Sequence, residues 1–92
     1  MKLTVIGGGS TYTPELVDGI ALTPQLGVDE LVLADPAGDR LELIGGLAGR
    51  MLAREDHPAR LVTTTDLDEA VDGADVVLIQ LRVGGQAARR VD

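Results

Sequence analysis

Four short apolar runs recur along the chain, and within each run the apolar residues are continuous rather than alternating with polar ones. The runs span residues 3–6, 31–34, 61–63 and 76–79. Strands that are covered on both faces, as in parallel sheets, have this pattern. The sequence therefore predicts four parallel β-strands.

Between these runs, apolar residues recur at the spacing of a helix face. The first face comprises Leu16, Val17, Ile20 and Ala21, and the second comprises Leu41, Ile44, Leu47, Ala48, Met51 and Leu52. The first helix is predicted to begin near Pro14, or as early as Ser10. A third helix is predicted after Asp66, because Glu69 follows at capping-box spacing and Gly73 can end the helix.

The resulting order of elements is β-α-β-α-β-α-β with short connections. Right-handed crossovers between parallel strands would give the spatial strand order 3-2-1-4. We predict an α/β fold with a Rossmann-like, doubly wound parallel sheet. Because such a sheet normally continues, we expect residues 1–92 to be one domain that is truncated after the fourth strand and belongs to a longer enzyme.

Composition narrows the classes of function. The chain has 92 residues, a net charge of −7 at pH 7 and no cysteine. The negative charge disfavours nucleic acid or an anionic membrane as the main partner, and the absence of cysteine excludes disulfides within the chain. No signal peptide or membrane-spanning run is apparent in it. We expect a cytoplasmic protein.

The stretch IGGGSTYTPE, residues 6–15, joins the first predicted strand to the first helix. A glycine-rich turn at this place lets backbone N–H groups approach a phosphate at the positive end of the helix. Gly7 and Gly9 match the first two glycines of the G-x-G-x-x-G pattern, whereas Tyr12 stands at the third. Gly8, Ser10 and Thr11 complete the candidate pyrophosphate cradle. The alternative is a structural turn that binds no ligand.

Asp35 ends the second predicted strand, 26 residues after Gly9. An acid near this spacing accepts hydrogen bonds from the adenosine ribose and favours NAD over NADP. The alternative is an Asx turn or helix cap before Pro36. Arg40 lies either along the adenine or in solvent, and the sequence does not decide between these positions.

The stretch QLRVGGQAARR, residues 80–90, follows the fourth predicted strand. It would lie at the crevice where doubly wound folds bind ligands. Its three arginines in an acidic chain indicate an anion; the alternative is a loop leading into a helix with solvated arginines. His57 is the only histidine, and no second ligand is in view, so we predict no metal site within the chain.

These motifs together resemble glycoside hydrolase family 4, the NAD- and manganese-dependent 6-phospho-glycosidases. The similar segments are VIGGGSTYTPELVDGI, LVLADP and TTDLDEAVDGADVVLIQLRVGGQAARRVD, and they extend over nearly the whole chain. The combination of GGGSTYTP with RVGG is specific, and it accounts for the missing third glycine. The RVGG form with a later arginine looks closest to the 6-phospho-beta-glucosidases.

The resemblance implies hydrolysis of phosphorylated glycosides by oxidation at C3, deprotonation at C2 and elimination of the leaving group. This scheme differs from the usual pair of carboxylates. It also implies NAD and Mn²⁺ as cofactors and a phosphorylated sugar as substrate. The positions that match cofactor-binding residues are Gly7, Gly8, Gly9, Ser10, Thr11 and Asp35. Arg89 matches the family's substrate-contacting arginine, and Arg82 is the arginine of RVG.

The resemblance places the family's metal ligands and catalytic base beyond residue 92, so we assign no catalytic residue within the chain and expect it to be inactive alone. Two other functions stay open at this point. One is an NAD-dependent hydroxy-acid dehydrogenase domain, and the other is a non-catalytic nucleotide-binding module. An apolar fourth strand at the edge of the sheet also predicts a homo-oligomer.

Overall fold

The computed structural model describes residues 1–7, 9 and 12–80, and it contains a four-stranded parallel sheet. The strands are β1 (Lys2–Ile6), β2 (Glu30–Ala34), β3 (Arg60–Thr64) and β4 (Val76–Ile79). Their spatial order is β3-β2-β1-β4, and each neighbouring pair is parallel. The predicted strand order 3-2-1-4 is thereby confirmed.

Helices connect the strands in the predicted alternation. The helices are α1 (Thr13–Ala21), α2 (Gly38–Arg54) and α3 (Leu67–Val71). Asp66 caps α3 by accepting a hydrogen bond from the backbone N–H of Glu69, and Gly73 follows with φ +73°, so the predicted start and stop signals are confirmed. A short 3-10 helix, Pro24–Leu26, was not predicted.

The main core lies between the sheet and one pair of helices. Side chains of β1 and β2 pack there against α1 and α2; the buried members are Leu3, Val5, Val17, Ile20, Ala21, Val28, Leu31, Leu33, Leu41, Ala48 and Leu52. Each is almost fully removed from water, which supplies the principal favourable term in folding. This packing holds α1 and α2 against the sheet, so that the N-terminal end of each helix lies beside the candidate site.

The opposite face of the sheet carries only a small core. It consists of Val32, Ala34 and Ala70, with Ile6 and Val62 packed against it. The buried hydroxyl of Thr4 donates a hydrogen bond of 2.6 Å to the carbonyl oxygen of Ala70, which ties α3 to β1. None of the helices in the described part of the chain combines the length and apolar character of a membrane span.

Helix α2 approaches the sheet closely at Gly45. A Cβ atom at this position would lie 2.7 Å from Cγ2 of Thr63 on β3, well inside van der Waals contact. Gly19 in α1 offers the contrast, because a Cβ there would meet nothing within 4 Å. Gly45 is therefore required by packing, whereas Gly19 only lowers the helix propensity of α1.

We predict that Gly45→Ala lowers the free energy of unfolding by about 1 kcal/mol or more, because the stiff Thr63 side chain must move. Gly19→Ala should raise the same free energy by about 0.5–1 kcal/mol, since alanine restricts the unfolded chain and favours helix. Urea unfolding followed by circular dichroism measures both. Equal stabilisation by the two substitutions would contradict the close approach of α2 to β3.

Strand β4 leaves its apolar side chains partly in water. Val76, Val77 and Leu78 are 38%, 41% and 37% exposed, and Ile79 is 64% exposed. In the described part of the chain, β4 pairs only with β1. An apolar strand with an open edge is a template for pairing with another chain.

We predict that the 92-residue chain self-associates through β4 at micromolar concentration, and that Ile79→Lys weakens this association by placing a charge on the strand. Leu43→Lys is the matched control, because Leu43 is 73% exposed on α2. Light scattering gives the mass of each variant. A wild-type chain that stays monomeric, or equal effects of both lysines, would exclude association through β4.

Candidate functional site

The candidate site lies where three neighbouring strands end at the same edge of the sheet. Gly7 follows β1, Asp35 follows β2 and Gln80 follows β4. Two backbone hydrogen bonds continue the ladders beyond the strands: the N–H of Gly7 donates to the carbonyl of Ala34 at 2.7 Å, and the N–H of Gln80 donates to that of Ile6 at 2.8 Å. The carboxyl ends of parallel strands thus bring the sequence-predicted Gly7 and Asp35 together.

Gly7 occupies a position that only glycine fits. Its φ is +85°, a conformation that costs other residues free energy. A Cβ atom would also lie 2.3 Å from the backbone carbonyl oxygen of Gln80, and a backbone atom between two strand ends has little room to move. The glycine therefore permits both the sharp turn and the close approach of β1 to the end of β4.

Asp35 links the glycine turn to the start of α2. The side chain is 3% exposed. Its Oδ2 accepts a hydrogen bond from the N–H of Gly9 at 3.0 Å, and its Oδ1 accepts one from the N–H of Ala37 at 2.9 Å. The bond to Ala37 confirms the Asx turn that the sequence left open. Ribose binding by the same carboxylate stays a prediction.

A side chain at Gly9 would be in tight contact with Asp35. A Cβ atom there would lie 3.0 Å from Oδ2 of Asp35 and 3.3 Å from Cγ of Arg40. Arg40 extends from α2 and is exposed, while the stem of its side chain lies beside the glycine turn. The structure therefore brings Arg40 to the site and also leaves it in contact with water, and contact with adenine stays a prediction.

Thr13 and Gln80 belong to the site but were not singled out from the sequence. Thr13, the first residue of α1, is fully buried, and its Oγ1 donates a hydrogen bond of 3.0 Å to Oε1 of Gln80. Two signals were available: a threonine directly before Pro14, and an amide side chain directly after the apolar run of β4. Neither signal indicates a partner, because the two residues are 67 positions apart.

The other predicted site residues, Gly8, Ser10, Thr11, Arg82 and Arg89, lie outside the described residues. Within residues 1–7, 9 and 12–80, no group of three or more histidine, cysteine or carboxylate side chains converges as metal ligands do. A hydrogen bond from the N-terminal ammonium lowers the pKa of Asp29. Asp29 lies at the opposite end of the sheet, where β2 begins, so this charge pair is not part of the site.

A parallel sheet in the order 3-2-1-4, with a glycine turn at its carboxyl edge and an acid after β2, defines the class of Rossmann-like α/β domains. The model of the family 4 glycosyl hydrolases matches residues 2–92. The chain therefore belongs to this family. The 6-phospho-beta-glucosidase of Escherichia coli K12 is 44% identical over 95 aligned positions, which cover the whole chain and 21% of that protein.

Solved structures agree with this assignment. The 6-phospho-beta-glucosidase of Thermotoga maritima, determined with manganese, NAD⁺ and glucose-6-phosphate, has a TM-score of 0.82 and 30% identity and matches all of the chain. A 6-phospho-alpha-glucosidase from gut microorganisms, in complex with NAD and glucose-6-phosphate, has a TM-score of 0.86 and 32% identity. In each case the chain covers 22% of the known protein, so it spans about a fifth of the length of these relatives.

We predict that Gly7→Ala lowers the free energy of unfolding by roughly 2 kcal/mol or more, through backbone strain and the clash with Gln80. Gly27→Ala is the matched control, because Gly27 has φ +72° and open space where its Cβ would lie. Gly27→Ala should lower the free energy of unfolding only by the backbone strain, about 1–2 kcal/mol. Denaturant unfolding measures the difference. If both substitutions lowered the free energy of unfolding equally, the close approach of Gly7 to Gln80 would not restrict the side chain at position 7.

Proposed function

We propose that this chain is the NAD-binding N-terminal part of a 6-phospho-beta-glucosidase. The observation that carries the proposal is the glycine turn bonded to Asp35 at the carboxyl edge of the sheet, in a chain 44% identical to such an enzyme. The Thermotoga maritima relative is solved with NAD⁺, manganese and glucose-6-phosphate, which supports the same cofactors and a phosphorylated sugar substrate for the complete enzyme.

The described residues fit a dinucleotide. A Cβ atom at Gly7 would lie 2.3 Å from the carbonyl oxygen of Gln80, and one at Gly9 would lie 3.0 Å from Oδ2 of Asp35, so the two glycines let the turn pack closely against the ends of β4 and β2. Helix α1 begins four residues after Gly9, and the partial positive charge of a helix N-terminus favours an anion. We assign pyrophosphate binding to Gly7, Gly8, Gly9, Ser10 and Thr11.

Asp35 retains acceptor capacity for a ribose. Each carboxylate oxygen accepts one backbone N–H in the structure, and a carboxylate has about four acceptor sites in all. The two bonds to Gly9 and Ala37 fix the orientation of the carboxylate. We propose that its remaining lone pairs accept the ribose hydroxyls and that its negative charge repels the 2′-phosphate of NADP, with Arg40 beside the adenine.

When bound, NAD accepts and returns the hydride at C3 of the sugar. The part of this chain is to hold the dinucleotide, and we assign the sugar phosphate and nearby hydroxyls to Arg82 and Arg89. The complete enzyme would supply the ligands of Mn²⁺ and the catalytic base, so the 92 residues alone should not hydrolyse glycosides. A cytoplasmic location fits this proposal, because a phosphorylated sugar is charged and does not cross a membrane unaided.

The two alternative functions are less well supported. A hydroxy-acid dehydrogenase domain would share the glycine turn and the acid, but the family match extends from residue 2 to residue 92. A non-catalytic nucleotide-binding module would leave the arginine-rich stretch after β4 without a role. Neither alternative accounts for the relatives that carry a sugar phosphate.

We predict that the chain binds NAD at least about tenfold more tightly than NADP, since losing one hydrogen bond to a charged group costs roughly 1.5–3 kcal/mol. Asp35→Asn should lower the affinity for NAD and bring the affinities for NAD and NADP closer together. Asp39→Asn, which removes an exposed carboxylate in the first turn of α2, is the control and should leave the ratio unchanged. Calorimetric titration measures both affinities. Equal affinities of the wild type would exclude the ribose role of Asp35.

A further inference from the structure

Gln80 contacts three parts of the candidate site at once. Its backbone N–H extends the pairing of β4 with β1 by donating to Ile6. Its backbone carbonyl lies against Gly7. Its side-chain Oε1 accepts the hydroxyl of Thr13 at the start of α1. One residue therefore joins the end of a strand, the glycine turn and the first residue of the helix.

Thr13 has a buried hydroxyl whose hydrogen bond does not cap the helix. The N-cap residue of α1 is Tyr12, and it makes no side-chain capping bond. The hydroxyl of Thr13 instead points across the turn to Gln80. Burying a hydroxyl without a partner costs roughly 1–3 kcal/mol, so the hydrogen bond that the side-chain oxygen of Gln80 accepts stabilises Thr13 in its fully buried position.

We propose that the hydrogen bond between Thr13 and Gln80 positions the dinucleotide cradle before the cofactor binds. The bond fixes the start of α1 against the end of β4, and the glycine turn lies between these two points. Thr13 and Gln80 are positioning residues, which act on NAD through the backbone that they hold. This inference rests on the proposed NAD-binding function.

Thr4 provides a matched control within the same chain. Like Thr13 it is fully buried and donates its hydroxyl in a hydrogen bond, here to the carbonyl of Ala70 at 2.6 Å. Its partner belongs to α3, on the face of the sheet opposite α1 and α2. Loss of this hydroxyl removes a bond of the same kind without touching the glycine turn.

The test compares Thr13→Val, Thr13→Ser and Thr4→Val in the 92-residue chain by amide hydrogen exchange and by NAD titration. Thr13→Val should speed exchange at the turn and the first residues of α1 and weaken NAD binding about fivefold, the size of one net hydrogen bond. Thr13→Ser keeps the hydroxyl and should restore both. Thr4→Val should lower stability to a similar extent while leaving the turn and the NAD affinity unchanged.

Should Thr13→Val fail to fold, Gln80→Met removes the acceptor from a half-buried position and takes its place in the comparison. The inference is overturned if the Thr13 and Thr4 variants change exchange at the turn equally, or if Thr13→Val binds NAD like the wild type. A wild-type chain that binds no NAD would instead refute the proposed function. The exchange measurement would still decide whether the bond positions the turn.

Discussion

The close approach of β1 and β4 at Gly7 is the constraint on which the site depends. Because a Cβ atom would lie 2.3 Å from the carbonyl oxygen of Gln80, the two strand ends can be neighbours only where a residue lacks a side chain. The same residue has a positive φ, so the chain leaves the sheet there rather than continuing it. This contact joins the turn after β1 to the end of β4.

Asp35 shows how a buried charge can be accommodated beside such a turn. Two backbone N–H groups, from Gly9 and Ala37, donate hydrogen bonds to its carboxylate in place of water. An unpaired buried carboxylate would be very costly, whereas one that accepts backbone hydrogen bonds is compatible with burial. Asp35 thus stabilises two connections of the domain.

The sequence predicted the sheet well because the information needed is local. Four continuous apolar runs, short connections and the handedness of crossovers lead to the strand order without any knowledge of side-chain contacts. The apolar pattern did not indicate where α2 begins. Its apolar face begins at Leu41, whereas the helix begins at Gly38, in a first turn that carries no core residue.

The contacts within the site could not be predicted in the same way. The hydrogen bond between Thr13 and Gln80 and the approach of Arg40 to Gly9 join residues that no periodicity relates. Glycines at positions 7 and 9 indicated a turn, but only the structure shows which backbone atom excludes a side chain at Gly7. Pattern identifies the elements, whereas the pairing of single polar groups depends on how the finished elements meet.

The pairing of β1 with β4 has a consequence for synthesis on the ribosome. Leu3 is opposite Val76 in the sheet, so the first strand to emerge has its second neighbour only when nearly all of the described chain has been made. Until then β1 and β2 can pair, but the glycine turn has no carbonyl of Gln80 to rest against. Closing so long a loop slows folding, since the entropy cost precedes the contacts that offset it. Within the described residues, the cradle is consequently among the last parts to take shape in a newly made chain.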